Sequence, residues 1–314
     1  MAIPVQTTFI GVDVSKEYLD ICSDPEGPVA RISNKPRDIN HWLKSLPAGP
    51  IAIALEATST YHLELAVRAH KAGHTVYLLD GYRLSRYRDS IAQRAKTDAA
   101  DARLIHRYLV HEHSALRPWN PPSKAYSRLQ TLLRRRAVLV KARTALRQSF
   151  AALPELRRAG KALVKQISAL DRRIVQQLVK TLSEAGWDDH YRRCQAIEGF
   201  GEIVSAAVVT AFHRGNFKNS DAFIAFLGLD VRVRDSGKAR GKRKLSKKGD
   251  PEMRRLLYLA AMGAIKYDTW QALYQRYLDR GYAKTQALVI IARKLARLAF
   301  ALMKNQEEYR PRVV

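Results

Sequence analysis

The sequence predicts an α/β domain over residues 1–117, a long basic helical hairpin or coiled coil over 118–186, and a mostly α-helical domain over 187–314. Three observations lead there. Short β-rich runs come first and then alternate with helically spaced segments, the pattern of a mixed sheet flanked by helices. Residues 118–122 (PWNPP) interrupt the chain, because consecutive prolines cannot continue a helix. Charge changes character near the same place: residues 1–113 hold 14 Lys+Arg against 13 Asp+Glu, whereas the rest hold 41 against 16.

Taken in order, residues 8–14 (TFIGVDV) are β-rich, 18–23 (YLDICS) alternate as a second strand, and 29–33 complete a meander. Residues 37–45 have helical spacing, and 51–55 form a continuous apolar run, as in a strand covered on both faces. A helix over 60–72 ends at Gly73, and a strand follows over 74–79. Thr97 is a suitable N-cap for a helix over 97–111 with acids in its first turn. Beyond the prolines, 123–150 and 155–182 are helical stretches carrying an apolar stripe of Leu129, Leu132, Leu133, Leu139, Val140 and Leu146. Between 121 and 185 there are 15 basic residues and 3 acidic ones, and Arg134, Arg135 and Arg136 are expected on the outer face. Nucleic acid is the expected partner there; a plain solvated face is the competing account. Residues 197–203 (IEGFGEI) lead into an Ala/Val-rich helix to Phe212, and Gly199 and Gly201 suit either a phosphate-binding helical hairpin or a plain helix joint. Residues 231–250 hold nine basic residues and three glycines, which predicts a loop or ribbon. Pro251 then opens a helix to about Ala264, and 283–303 make another.

Composition excludes several classes. The 314 residues carry a net charge of +26, and 46% are hydrophobic, enough to fill real cores. Cys22 and Cys194 are the only cysteines, which rules out a disulfide framework and a four-cysteine zinc site. Neither a leader nor a run of about 18 apolar residues is visible, so a protein of the reducing cytoplasm, away from membranes, is expected. The net +25 beyond residue 113 points to a polyanion, since neutralised phosphates release condensed counterions.

Four carboxylates in the neutral domain are candidates for chemistry. Asp13 interrupts an apolar strand, where an unpaired charge is costly. Glu56 ends the run IAIALE. Asp98 and Asp101, three apart on one helix, share a face with Cβ atoms roughly 5–6 Å apart. Converging acids bind divalent cations through oxygen, and two such ions can activate one oxygen and stabilise another in phosphodiester displacement. Asp98 and Asp101 also read as ordinary first-turn acids favoured by the helix dipole.

The order strand Asp, strand Glu, helical DxxD resembles the RNase H/RuvC-like nuclease fold. The chain as a whole resembles the DEDD transposases of the insertion sequence one-ten family, which includes the pilin-gene invertases. The matching segments are GVDVSK (11–16), EATSTY (56–61), AKTDAADARLI (95–105), IEGFGEIVSA (197–206), FLGLDVRVRDSGK (226–238) and LSKKGDPEMRRLLYLAA (245–261). Departures are Glu198, where that family commonly has Pro, and Ser59, where Gly is common.

The resemblance implies that Asp13, Glu56, Asp98 and Asp101 bind two Mg²⁺ ions. It implies that Ser236, in Asp235-Ser236-Gly237, is a nucleophile forming a covalent phosphoserine with DNA. Ser236 also reads as a common turn serine, and Ser246 is the competing hydroxyl. Around it Arg232, Arg234, Lys238, Arg240, Lys242, Arg243 and Lys244 are placed to hold phosphate. The implied partners are donor and target DNA, a structured noncoding (bridge) RNA that guides the reaction, and further copies of the chain. A dimer or tetramer would build composite sites, with acids from one subunit and serine from another. Two other readings stand beside it: a hydrolytic nuclease of the Holliday-junction type, using the same four acids with water as nucleophile, and a non-catalytic nucleic-acid scaffold whose acids are structural.

Overall fold

The computed structural model describes residues 7–57, 60–92, 97–232, 235–236, 239–240 and 244–311, with the side chains of residues 152, 235, 236, 239 and 240 left aside. It divides into two compact units, Met1–Pro121 and Pro122–Val314.

The first unit begins with β1 (Thr8–Val14), β2 (Tyr18–Cys22) and β3 (Ala30–Ser33) and continues with α1 (Pro36–Ser45), β4 (Ile51–Glu56), α2 (Leu63–Lys71) and β5 (Thr75–Leu79). It closes with α3 (Gly81–Ser90) and α4 (Asp98–Glu112). The five strands form one sheet in the order β3-β2-β1-β4-β5; the first three are an antiparallel meander, and β4 and β5 run parallel to β1. Alternation sorts the side chains. Ile10, Val12, Val14, Ile53 and Leu55 face α1 and α2, whose Ile39, Leu43, Leu65 and Ala69 complete that core. The opposite face is built of smaller residues, Ala52 and Ala54 beside Tyr77 and Leu79, and takes Leu84 of α3 with Ile105 and Leu109 of α4. Each fully buried Leu or Ile contributes about 1.5–3 kcal/mol.

The second unit opens with α5 (Lys124–Ser149) and α6 (Arg157–Glu184), followed by α7 (Asp188–Gln195), α8 (Glu202–Phe212) and α9 (Ser220–Phe226). Four two-residue strands come next: β6 (Val231–Arg232), β7 (Asp235–Ser236), β8 (Ala239–Arg240) and β9 (Lys244–Leu245). The chain ends with α10 (Pro251–Ala264), α11 (Asp268–Asp279) and α12 (Lys284–Asn305). Helix α8 is buried from Val204 to Ala211, and α10 and α12 pack around it. Leu129 and Leu132 of α5 and Ile174, Leu178 and Leu182 of α6 join that same core. No described helix is long and apolar enough to cross a membrane.

Helix α3 has no counterpart in the sequence reading, and α7, α9 and α11 are not singled out within the region expected to be mostly helical. The reasons are local: α3 (GYRLSRYRDS) buries only Leu84 and has no apolar periodicity, α7 and α9 span eight and seven residues, and α11 carries its period largely in half-buried residues, Leu273 and Tyr274 beside buried Trp270. A second difference concerns the arginine run. Arg134 and Arg135 are exposed as expected, but Arg136 turns inward, its Nε 2.9 Å from Asp171 of α6 and its side chain 16% exposed. Arg136 lies seven residues after Leu129 and four after Leu132, on the stripe itself, so it faces the partner helix.

Candidate active site

The parallel register sets Val12 beside Leu55, so the following residues, Asp13 and Glu56, come side by side near the ends of neighbouring strands. On the other side the antiparallel register sets Asp13 opposite Asp20, and Asp20 opposite Arg31. Three carboxylates and a guanidinium thus form a row across the sheet. Half-buried Asp13 is the stressed member: its carboxyl is pushed up from 3.8 to about 6, first by burial and then by the negative charges of Asp101, Asp98 and Glu56. The charges of Asp101, Asp98 and Glu56 are thus all felt at Asp13.

Gly11 makes this possible. A Cβ there would lie 2.2 Å from the His106 backbone nitrogen and 2.5 Å from the Ala102 carbonyl oxygen, so α4 rests directly on the β1 backbone. Seated so, α4 presents its first turn to the acid row. The Thr97 hydroxyl caps that turn by accepting from the Ala100 N–H at 3.2 Å. Asp101 accepts from Arg88 of α3 at 2.6 Å, a pair with side chains only 16% and 18% exposed. Asp98 is exposed and accepts from Arg31 at 2.8 Å, while the same guanidinium grips Asp20 through Nε and Nη2 at 3.0 and 3.1 Å. The Glu56 carboxylate lies against Gly81, the first residue of α3, where the helix N-terminus favours negative charge.

Among the described residues no three acid, histidine or cysteine side chains are drawn together tightly enough to hold an ion in this arrangement. The donor chemistry nonetheless suits a hard divalent cation. Every candidate ligand is a carboxylate, and Asp13 carries a repulsion from its neighbours that a cation would relieve. Arg31 and Arg88 supply the positive charge to Asp98 and Asp101. Asp20, Arg31, Arg88 and Gly11 were not predicted. Asp20 could have been, since the short link between the first two strands pairs it with Asp13; the arginines could not, because Arg88 sits on α3, a helix with little sequence signal, and Arg31 reaches Asp98 from 67 residues away.

In the second unit, Ser236 is in β7 and pairs with Ala239 of β8, while Asp235 pairs with Arg240. The second ladder pairs Val231 with Leu245 and Arg232 with Lys244, setting two exposed cations opposite each other. Like charges so placed repel, and an anion between them offsets the cost. Arg234, Lys238, Lys242 and Arg243 lie outside the described residues, as does Ser59. Arg134 lines a groove with Tyr126, Lys141, Phe226 and Lys248. Gly199 is left-handed (φ +84°), and a Cβ there would lie 2.3 Å from the Ala260 carbonyl oxygen, so its close approach is to α10. Gly201, at the N-terminus of α8, has open space around it. Glu198 accepts from the Tyr309 hydroxyl at 3.1 Å.

Two family models match the chain. One, a transposase model of the DEDD IS110 type, covers residues 10–153; the other, described as transposase IS116/IS110/IS902 family, covers 191–275. The chain is 26% identical to the pilin gene-inverting protein of Moraxella bovis over 325 residues, spanning 98% of both chains. It is 27% identical to a probable family 20 transposase of Pseudomonas aeruginosa over 342 residues, spanning 96% of this chain and 98% of that one.

Proposed function

Because the chain belongs to the IS110 family of transposases, a DNA transposase or recombinase, we propose that it cuts and rejoins DNA through a covalent phosphoserine on Ser236, with the acid cluster of its first unit as the metal site. The observation that supports this reading most is the parallel register that sets Asp13 beside Glu56, with the charges of Asp98 and Asp101 felt there as well. Asp13, Glu56, Asp98 and Asp101 would hold the divalent cations, taken as Mg²⁺. When bound, these supply charge neutralisation at the scissile phosphate and a more acidic coordinated oxygen.

The protein's own residues account for the rest. The Ser236 oxygen forms a bond to phosphorus as the bond to the departing sugar oxygen breaks. The hydroxyl proton leaves to a base, and the sugar oxygen takes one up. A serine hydroxyl is a poor nucleophile at its free pKa and needs such a base or metal beside it. The phosphodiester energy is retained in the serine ester, so rejoining needs no external energy source. Arg232 and Lys244, with the other cations of 231–250, would grip the phosphates, and Arg134 and Arg135 would extend the track. Donor and target DNA are the substrates, with an element-encoded noncoding RNA choosing the sequence by base pairing, in the cytoplasm.

A covalent-trapping assay tests the reading. Full-length protein, transcripts of the DNA flanking its gene, Mg²⁺ and labelled DNA of those flanks are run on a denaturing gel beside Ser236→Ala. A protein–DNA adduct in wild type, absent from the variant, is the expected result. Equal cutting in both without any adduct would mean a hydrolytic nuclease of the Holliday-junction type and would remove Ser236 from the chemistry.

The composite site would need more than one copy, acids from one and serine from another. The hairpin offers a surface for that: Leu163 and Leu170 of α6, seven apart, are 46% and 47% exposed, the spacing of one coiled-coil position. Replacing Leu163 and Leu170 by Lys is expected to reduce the solution mass, by light scattering, to that of the single chain while leaving the helical circular dichroism unchanged. An unchanged mass would place the contact elsewhere.

A further inference from the structure

The segment that carries Ser236 leaves the helical core through a constriction. Gly228, after α9, and Gly249, before α10, meet backbone to backbone: a Cβ on Gly228 would lie 2.4 Å from the Gly249 nitrogen, and one on Gly249 2.5 Å from the Gly228 nitrogen. Gly228 has φ +70°, which suits glycine, and Arg254 of α10 donates to the Gly249 carbonyl at 2.6 Å. Just beyond the crossing, Asp230 and Ser246 are joined twice. The Ser246 N–H donates to the Asp230 carbonyl at 2.8 Å, and the Ser246 hydroxyl donates to the Asp230 carboxylate. The Ser246 oxygen in turn accepts from the Lys248 N–H at 3.3 Å. Both residues are half-buried, and Arg293 of α12 lies near enough for its charge to be felt by Asp230. The next step outward is the Val231–Leu245 pair, with Leu245 packed against the core.

From this we infer that Asp230 and Ser246, above the Gly228–Gly249 crossing, form a neck that fixes the register of the two arms bearing Ser236, and that they are positioning residues for the serine step. The inference rests on the Ser236 reading above. The neck also accounts for the second hydroxyl of this region: Ser246 has its proton committed to Asp230 and its lone pair to Lys248, so it serves as a tie. Register matters because side chains alternate between faces along each arm, so a one-residue slip at the Val231–Leu245 pair would be carried into the ladder that bears Ser236.

Two measurements on the full chain test it. In the first, a nitroxide is attached to Ser236→Cys; Cys22 and Cys194 are buried, and burial pushes the Cys194 thiol up to about 12, so the label goes to position 236. Adding Ser246→Ala or Asp230→Ala is expected to shorten the label's rotational correlation time several-fold. Ser246→Thr and Asp230→Asn keep a hydroxyl donor and an oxygen acceptor and are expected to retain the parent spectrum. Identical spectra for all five proteins would overturn the neck.

In the second, with Ser236 intact, the rate of adduct formation is followed against pH. Ser246→Ala and Asp230→Ala are expected to lose on the order of 10²-fold, the cost of roughly 1 Å of misplacement, with no change in the shape of the pH profile. Ser246→Thr and Asp230→Asn are expected to restore the rate. Loss in Asp230→Asn equal to that in Asp230→Ala would make Asp230 a proton acceptor and overturn the positioning role. Absence of an adduct in wild type would end the Ser236 reading, and the label spectra would still decide the neck.

Discussion

Asp13→Asn is expected to lower DNA strand cleavage by about 10³-fold and, with metal withheld, to raise the thermal stability of the full chain at pH 7. The two effects have one origin. Asp13 lies one residue from the end of β1, among Asp20, Glu56, Asp98 and Asp101, and its carboxyl is pushed up to about 6. A carboxyl whose pKa is higher folded than unfolded, where it is near 3.9, holds its proton more tightly in the fold. Its contribution to stability is therefore fully present below pH 4 and is lost as pH rises toward 6. Asparagine never ionises, so the variant should gain on wild type across that window, keep the gain above it, and show none below pH 4. Added Mg²⁺ should reverse the order at pH 7 by stabilising wild type alone. Melting curves at pH 3.5, 5 and 7 check this. A variant less stable than wild type at pH 7 without metal would mean that the carboxylate serves the fold.

The second large effect is expected at Gly11. In Gly11→Ala the new methyl group meets the His106 nitrogen and the Ala102 carbonyl, which are backbone atoms of α4 and have no rotamer in which to move aside. The helix must lift, at about 3 kcal/mol, the upper range for overpacking. Asp98 and Asp101 lift with it, so cleavage should fail even where the chain stays folded. Gly215→Ala, with open space around it, is the control. Urea unfolding together with the cleavage assay checks the pair. Unchanged activity in Gly11→Ala would show that the helical acids need not sit against β1.

These cases also show where sequence carries information and where it stops. The strands of the first unit were legible because burial on both faces leaves apolar runs such as IAIAL, and α4 was legible through Thr97 and its spacing. Asp13 and Glu56 stood out because charge near the end of an apolar strand is costly, and Asp98 and Asp101 because their spacing puts them on one helix face. Their arginine partners did not, since Arg31 and Arg88 come from β3 and from α3, a helix with one buried side chain. Gly11 looked like any small residue in a strand until the helix above it was known. Arg136 carried a usable signal that its neighbours masked: within a run of three arginines, only its spacing from Leu129 and Leu132 tells that it points inward.

That inward arginine bears on how the hairpin of the second unit is held in register. Asp171 of α6 meets both Arg136, at 2.9 Å, and Arg143, at 3.5 Å, residues one heptad apart on α5. Sliding one helix past the other in either direction surrenders one guanidinium, so a single carboxylate works as a vernier mark with one engaged setting. The hairpin is then an arm of calibrated length, 26 residues in α5 or about 39 Å at 1.5 Å per residue, rooted in the core through Leu129 and Leu178. The register of α5 against α6, and with it the distance from the core to the hairpin's far end, is therefore set by one buried carboxylate.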